Sequence, residues 1–253
     1  MRQSSHRTSY HLPVIPRLDR GVSLEKGSAQ AGNVFVIILL GVFLFGSLMY
    51  MFSRNAQQGT GNLTKQQANI AAQEILNYAR LVEGAVDRVR RNGCSETEIS
   101  FANDVVTGYE HTPPARDECK VFDEDGGKIT YMQPIENWLD NIHSAQSTYG
   151  EFAFTDSTSV TGIETTKQEG SLLLNYIQLN ICTEINNQLG IANPAGLPPE
   201  DVGVFNSTIL YDGRFPNTPS SPINAPETIG RPTGCVQYNG VNRYHFYHVL
   251  LAR

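Results

Sequence analysis

The sequence lacks the short motifs that carry catalysis in the common enzyme classes. It has no G-x-S-x-G nucleophile elbow, no phosphate-binding glycine loop, no H-E-x-x-H zinc motif and no dinucleotide-binding glycine pattern. It also lacks an excess of positive charge, because 25 acidic residues outweigh 19 basic ones and leave a net charge of −6. Nucleic-acid-binding domains usually carry a basic surface. We therefore expect neither an enzyme nor a nucleic-acid-binding protein.

Clusters of metal ligands are also missing from the sequence. No two cysteines stand at the short spacing that zinc sites use. His245 and His248 are three residues apart, and on a strand such residues point to opposite faces and cannot share one ion. The acidic turn of residues 123–126 lacks the spacing and the terminal glutamate of an EF-hand loop. We expect no bound metal and no cofactor.

Charge is absent from one long stretch, residues 34–52, which is 19 residues long and almost entirely apolar. At about 1.5 Å per residue, a helix of this length covers the hydrocarbon core of a bilayer, about 30 Å thick. A cleaved signal peptide is one alternative, although its apolar region is usually about 7–15 residues long and ends at a pair of small residues, whereas Arg54 follows here. A buried core helix is the other. The run predicts an uncleaved membrane anchor.

The flanking cations predict the orientation of this anchor. Two cations, Arg54 and Lys65, stand close behind the run, whereas the segment before it holds Arg2, Arg7, Arg17, Arg20 and Lys26. The positive-inside rule then places the N-terminus in the cytoplasm. We expect a disordered cytoplasmic leader over residues 1–31, a transmembrane helix over 32–53 and one exported domain over 54–253.

All four cysteines fall in the part expected to be exported. An even number of cysteines in an oxidising compartment predicts two disulfides. The sequential pairing, Cys94 with Cys119 and Cys182 with Cys235, is favoured because each bridge would then join neighbouring elements. The two other pairings, and four unpaired buried thiols, remain open.

Apolar periodicity predicts two helices in the exported part. After a hinge at residues 53–62, a capping box at Thr64 and Gln67 starts a helix that ends before Gly93. One face of it carries apolar residues at steps of three or four, namely Ala71, Ile75, Tyr78, Val82, Ala85 and Val89. The second helix is predicted over residues 171–189, with Gly190 as its stop signal. Trp138 is expected to pack within a short helix.

Strand patterns fill most of the remaining sequence. Residues 120–122 and 129–131 read as a hairpin, and residues 152–155 alternate weakly. Near the C-terminus, Asn239 and Gly240 join residues 235–238 to a strand over 241–251, whose two faces are both apolar enough for a central position. Residues 192–234 form a proline-rich excursion, broken by one strand at 204–211. The predicted fold is α+β: a membrane helix that continues into an amphipathic helix, then an antiparallel sheet with a second helix.

This order of elements resembles the type IV pilins and the pseudopilins of type II secretion. In that family, a prepilin peptidase cuts after a glycine just before the apolar stretch, and Gly32 followed by Asn33 stands at that place. The resemblance implies a mature chain that begins at Asn33, a pilin-like fold and an inner-membrane location with the C-terminal domain in the periplasm. It also implies a structural role in a pilus or secretion assembly, with other pilin-like subunits or envelope proteins as partners.

Two positions depart from the family pattern. Asn33 follows the cut, where the family has Phe or Met, and Ile37 stands where the family carries a glutamate five residues after the cut. The large tip-type minor pseudopilins are similar in lacking that glutamate, so the resemblance implies a subunit that caps or starts a filament.

A second function class remains open on the sequence. A solitary single-pass protein could present a periplasmic domain that binds a ligand or an envelope partner. A membrane-tethered hydrolase is a third alternative, although no nucleophile–base pair is recognisable.

Overall fold

A computed structural model describes residues 31–111, 113–164, 167–202, 208–215 and 222–253. Side chains are described for these residues except for 31–35 and 48–63. The chain divides into two units at Ala56 and Gln57. The predicted leader, residues 1–31, lies outside the described residues except for its last position.

The long helix α1 runs from Ala31 to Arg91. The predicted hinge at residues 53–62 is therefore wrong, because this stretch is helical. The capping box predicted at Thr64 is wrong for the same reason, since no helix begins there. Gly59 and Gly61 each weaken a helix by about 1 kcal/mol relative to alanine, which lowers helix propensity without forcing a break.

The second unit is an α+β domain built on a five-stranded sheet with the order β1-β2-β5-β4-β3. The strands are β1 Phe152–Thr158, β2 Glu169–Asn175, β3 Glu200–Asp201, β4 Thr233–Tyr238 and β5 Tyr244–Leu251. The α+β class is thus confirmed, but the sheet is mixed and not purely antiparallel, because β3 runs parallel to β4. Residues 202–232 connect these two strands, and a long connection permits the parallel direction that a hairpin forbids.

The helix predicted over residues 171–189 is correct only in its second half. Helix α2 spans Leu179–Leu189 and ends at Gly190, which adopts the predicted left-handed cap at φ 68°. Residues 171–175 belong instead to β2, which is buried on both faces between β1 and β5. Three consecutive leucines, 172 to 174, suit a strand that is covered on both sides, and that burial decides against the helix.

Two further strand predictions failed and two succeeded. Residues 120–131 contain turns and no strand, with the Gly127 amide bonded to the Lys120 carbonyl. The strand predicted over 204–211 falls partly outside the described residues, and its described part, 208–211, is not a strand. The strand at 152–155 is confirmed within β1. The C-terminal hairpin is confirmed as β4 and β5, with Asn239 and Gly240 at positive φ. The turn is longer than the predicted two residues, because β5 begins at Tyr244 and the Tyr238 amide donates to the Arg243 carbonyl.

The sheet carries a hydrophobic core on each face. On one face, α1 and α2 cover side chains that include Phe154, Leu172 and Phe246. On the other face, Leu173, Val236 and Tyr247 pack with Val160 and Ile223 from the connecting segments. Coverage of both faces explains why every residue of β1, β2 and β5 is buried.

Candidate anchoring and assembly surface

Among residues 36–47, the described side chains in the first part of α1, every large apolar side chain is exposed. Across residues 36–45, the exposed fraction of these side chains runs from 54% at Leu44 to 77% at Phe43. Consecutive residues on a helix project about 100° apart, so this stretch is apolar around its whole circumference. A helix on the surface of a soluble domain normally buries one apolar stripe and shows a polar face. A stretch that is apolar all round needs an apolar environment to cover it.

The residues of the predicted cleavage site lie at the start of this helix. Gly32 and Asn33 fall in the first turn of α1. Ile37, one turn further on, is 66% exposed. It therefore presents an apolar side chain at the position where the pilin family carries a carboxylate.

Within the part of the chain that the structure describes, no helix combines the length and the apolarity needed to cross a membrane.

The second part of α1 has a different character, because one face packs on the domain. The predicted apolar stripe is confirmed, since all six of its residues are buried. Ala68, Ala72 and Ala79 add small side chains to the buried face, which allows the helix to approach the sheet closely. The outer face is mostly polar, with Ile70 and Leu81 as exposed apolar exceptions at 56% and 60%.

Two disulfides brace the domain, which confirms that the four cysteines pair. The bridges are Cys94–Cys119 and Cys182–Cys235, with Cα–Cα distances of 5.7 Å and 5.5 Å, and this is the sequential pairing. The second bridge fastens α2 to β4. Asn186 of α2 strengthens the same contact, because its side chain accepts from the Cys235 amide and donates to the Cys235 carbonyl, both at 2.9 Å.

The two predicted sheet histidines lie on opposite faces of β5, as strand alternation requires. His248 faces α1, where its Nε2 lies 3.3 Å from Oε2 of Glu83 and its Nδ1 lies 2.6 Å from the Thr233 hydroxyl. The contact with His248 lowers the pKa of Glu83. His245 faces the other core, 2.7 Å from Oδ1 of Asn175, and burial lowers its pKa to about 3.

Other predicted polar positions serve local structure. The Asp123 carboxylate accepts from the Asp125 amide at 2.9 Å and so shapes its own turn. Trp138 closes a short 3₁₀ helix, as predicted, and is buried. Among the described residues, no three His, Cys, Asp or Glu side chains converge in a way that could hold a metal.

Several clefts open on the domain surface, and two of them are lined by Trp138 and by His111. One of about 400 Å³ lies between α1 and the start of α2, with Ile70 and Trp138 in its wall. The other, of about 560 Å³, is rimmed by ion pairs of Arg116 with Glu98 at 3.5 Å and of Arg214 with Asp212 at 3.2 Å. His111 also lines this second cleft, and burial lowers the pKa of its ring.

Two carboxyl groups on β1 and β2 are buried, and the sequence pattern did not predict this. Glu169 is fully buried and Asp156 is 1% exposed. Burial raises the pKa of Glu169 to about 8 and also raises that of Asp156, whose Oδ2 accepts from two backbone amides. No local pattern marks either residue as buried, because an acidic side chain between Thr and Ser, as at Asp156, or between Gln and Gly, as at Glu169, usually indicates an exposed position. Only the register of β1 and β2 places them inside.

Comparison of the chain with protein-family models, with curated proteins and with solved structures gave no match in any of the three.

Proposed function

We propose that the protein is a non-enzymatic structural subunit, similar to a minor pilin or pseudopilin, of a pilus or secretion assembly in a bacterial inner membrane. The observation that carries the proposal is the all-round apolar exposure of α1 between Val36 and Phe45. In water, such a segment leaves several hundred Å² of apolar surface uncovered, which marks a membrane or protein contact. The bilayer and the first helices of neighbouring subunits are the apolar surroundings that would cover it.

The domain supports this role through its rigidity. Its two disulfides and its doubly covered sheet suit a unit that transmits load and meets neighbouring subunits without changing shape. The proposal includes a pilin-like arrangement of this domain. It also includes the role of a filament cap, which the apolar Ile37 suggests.

The proposed topology predicts where a C-terminal reporter is active. Alkaline phosphatase fused after Arg253 is expected to be active, because it folds only when exported, while a reporter that works only in the cytoplasm is expected to be silent. The cell fractions should place the fusion in the inner membrane. The opposite reporter pattern would refute the proposed topology.

The proposed processing predicts a mature chain that begins at Asn33. In cells that contain a prepilin peptidase, Gly32→Leu should block cleavage and leave the longer chain, whereas the matched change Gly27→Leu should leave cleavage intact. Removal of the leader also removes its cations, each of which would cost about 2.5–3.5 kcal/mol to place at the centre of the bilayer. N-terminal sequencing is the measurement, and an uncleaved wild-type chain in those cells would contradict the pilin-like reading.

A second candidate function is a solitary anchored protein whose periplasmic domain binds a ligand or an envelope partner. The cleft of about 560 Å³ beside His111 favours it, because charged side chains of both signs line its rim. An uncleaved chain that remains in the inner membrane would support this function over the first.

A further inference from the structure

Four buried polar atoms, which have no hydrogen-bond partner among the described residues, lie where β1 ends and β2 begins. They are Oε1 of Glu169, Oγ1 of Thr158, Oγ of Ser171 and Nε2 of Gln168. All four residues are at most 5% exposed. An unpartnered buried polar group costs about 1–3 kcal/mol, and a charged one costs more, so four together in one place call for a physical explanation.

The register of the strands brings three of these atoms to one face. Thr158 stands directly opposite Glu169 in the antiparallel pair, and directly opposed Cβ atoms lie about 4.5–5.5 Å apart. Ser171 is two residues beyond Glu169 and therefore projects from the same side of β2. Three oxygens, one of them a carboxylate oxygen, thus lie on the same buried side of the sheet at its β1–β2 end.

The charge on Glu169 has little compensation from its described neighbours. Its Oε2 accepts one backbone hydrogen bond, from the Val160 amide at 3.2 Å. Burial is the main cause that raises the pKa of Glu169, and the charge of Glu164, which has the same sign, acts in the same direction. Tyr247 lies nearby on the same side of the sheet, where Asp201 and Arg231 also act on its hydroxyl.

We propose that Glu169, Thr158 and Ser171 form a buried binding site for a hard metal cation, held by their side-chain oxygens. Carboxylate and hydroxyl oxygens are ligands that sodium, potassium or calcium accept, and sulfur and nitrogen ligands are absent from this trio. Without a ligand, burial keeps the Glu169 carboxyl group largely protonated near neutral pH. A water molecule could satisfy the hydroxyls, whereas a cation would satisfy them and also favour the ionised carboxylate.

The position of the site gives the cation a structural effect. A connecting segment crosses the turn between β1 and β2 here, through hydrogen bonds from the Ile223 amide to the Ser159 carbonyl and from the Thr161 amide to the Ile223 carbonyl. Glu169 holds the same turn through Val160. A cation bound beneath this crossing would stabilise the covered face of the sheet. The inference is independent of the proposed role in an assembly.

The test is thermal unfolding of the full chain in detergent, with sodium, potassium or calcium chloride titrated against choline chloride at constant ionic strength. At least one of the three cations should raise the melting temperature of the wild type saturably, by about 5 °C. Glu169→Gln should remove the response, while the matched surface change Glu200→Gln should keep it. Lowering the pH from about 8 to about 5 should also remove it, since protons compete for the carboxylate.

The variant Ser171→Ala distinguishes a cation-binding site from a buried Glu169 that is simply protonated. If the hydroxyl is a ligand, this variant should fold and need a several-fold higher cation concentration for half-saturation. If Glu169 is simply protonated, removing an unpartnered hydroxyl should not change any salt response. The proposal is overturned if no cation raises the wild-type melting temperature, or if Glu169→Gln responds as the wild type does.

Discussion

The double variant Leu40→Arg, Leu44→Arg is expected to move the protein out of the membrane fraction. The thirteen Val, Ile, Leu and Phe side chains of residues 34–52 favour insertion by about 0.3–0.6 kcal/mol each, or about 4–8 kcal/mol together. Two arginines near the centre cost about 5–7 kcal/mol, and two favourable leucines are lost as well. Insertion should then become unfavourable or marginal. Both leucines are exposed on α1, at 61% and 54%, so the changes disturb no packing among the described side chains.

The matched control is Ile70→Arg, Leu81→Arg, which adds the same charges to the same helix. These residues are equally exposed but lie on the outer face of the domain. The control should stay in the membrane fraction, as measured by carbonate extraction and centrifugation of cell membranes. If both variants stay there, or if both leave, residues 34–52 are not the anchor.

Loss of the disulfide Cys182–Cys235 is expected to cost the domain more stability than loss of the disulfide Cys94–Cys119. Replacing both cysteines with alanine frees a loop of 53 residues, and the chain-entropy relation gives about 4 kcal/mol for this length. The shorter bridge, Cys94–Cys119, closes 25 residues and should cost about 3.5 kcal/mol. A domain stabilised by about 5–15 kcal/mol would lose a large fraction of its stability in either case.

Unfolding of each double variant in guanidinium, with the full chain in detergent, measures these losses. Both disulfides should also protect all four sulfurs, so denatured but unreduced protein from the periplasm should show no thiol that can be alkylated. Four alkylatable thiols would contradict the pairing. Equal stability of the wild type and the Cys182→Ala, Cys235→Ala variant would contradict the structural role given to α2 and β4.

The sequence predicted those elements whose signals are local and strong. The apolar face of α1 from Ala71 to Val89 follows from steps of three and four residues, and the cap at Gly190 follows from the freedom of glycine at positive φ. The hairpin at Asn239 and Gly240 is equally local, because few other dipeptides suit that turn. The order of the cysteines along the chain was enough to favour the observed pairing.

The failed predictions have separate physical reasons. The leucines 172–174 are compatible with helix and strand, and the choice was made by β1 and β5, which lie on either side of β2. The glycines 59 and 61 suggested a hinge, but a helix tolerates them where the residues before and after it are helical. In residues 120–131, backbone hydrogen bonds such as that from Gly127 to Lys120 close a turn, and residues 120–122 and 129–131 do not form paired strands.

By itself the sequence determined the class of the domain, the amphipathic part of α1 and the existence of one uncharged apolar run, because composition and short-range periodicity encode these features. It favoured the disulfide pairing, which the structure then showed. Only the tertiary structure decided that β3 runs parallel to β4, that both faces of the sheet are covered, and that Glu169 is buried opposite Thr158. The physical reason is that burial depends on what the whole chain places over a residue. A glutamate between a glutamine and a glycine reads as solvent-exposed until two strands and a crossing segment enclose it.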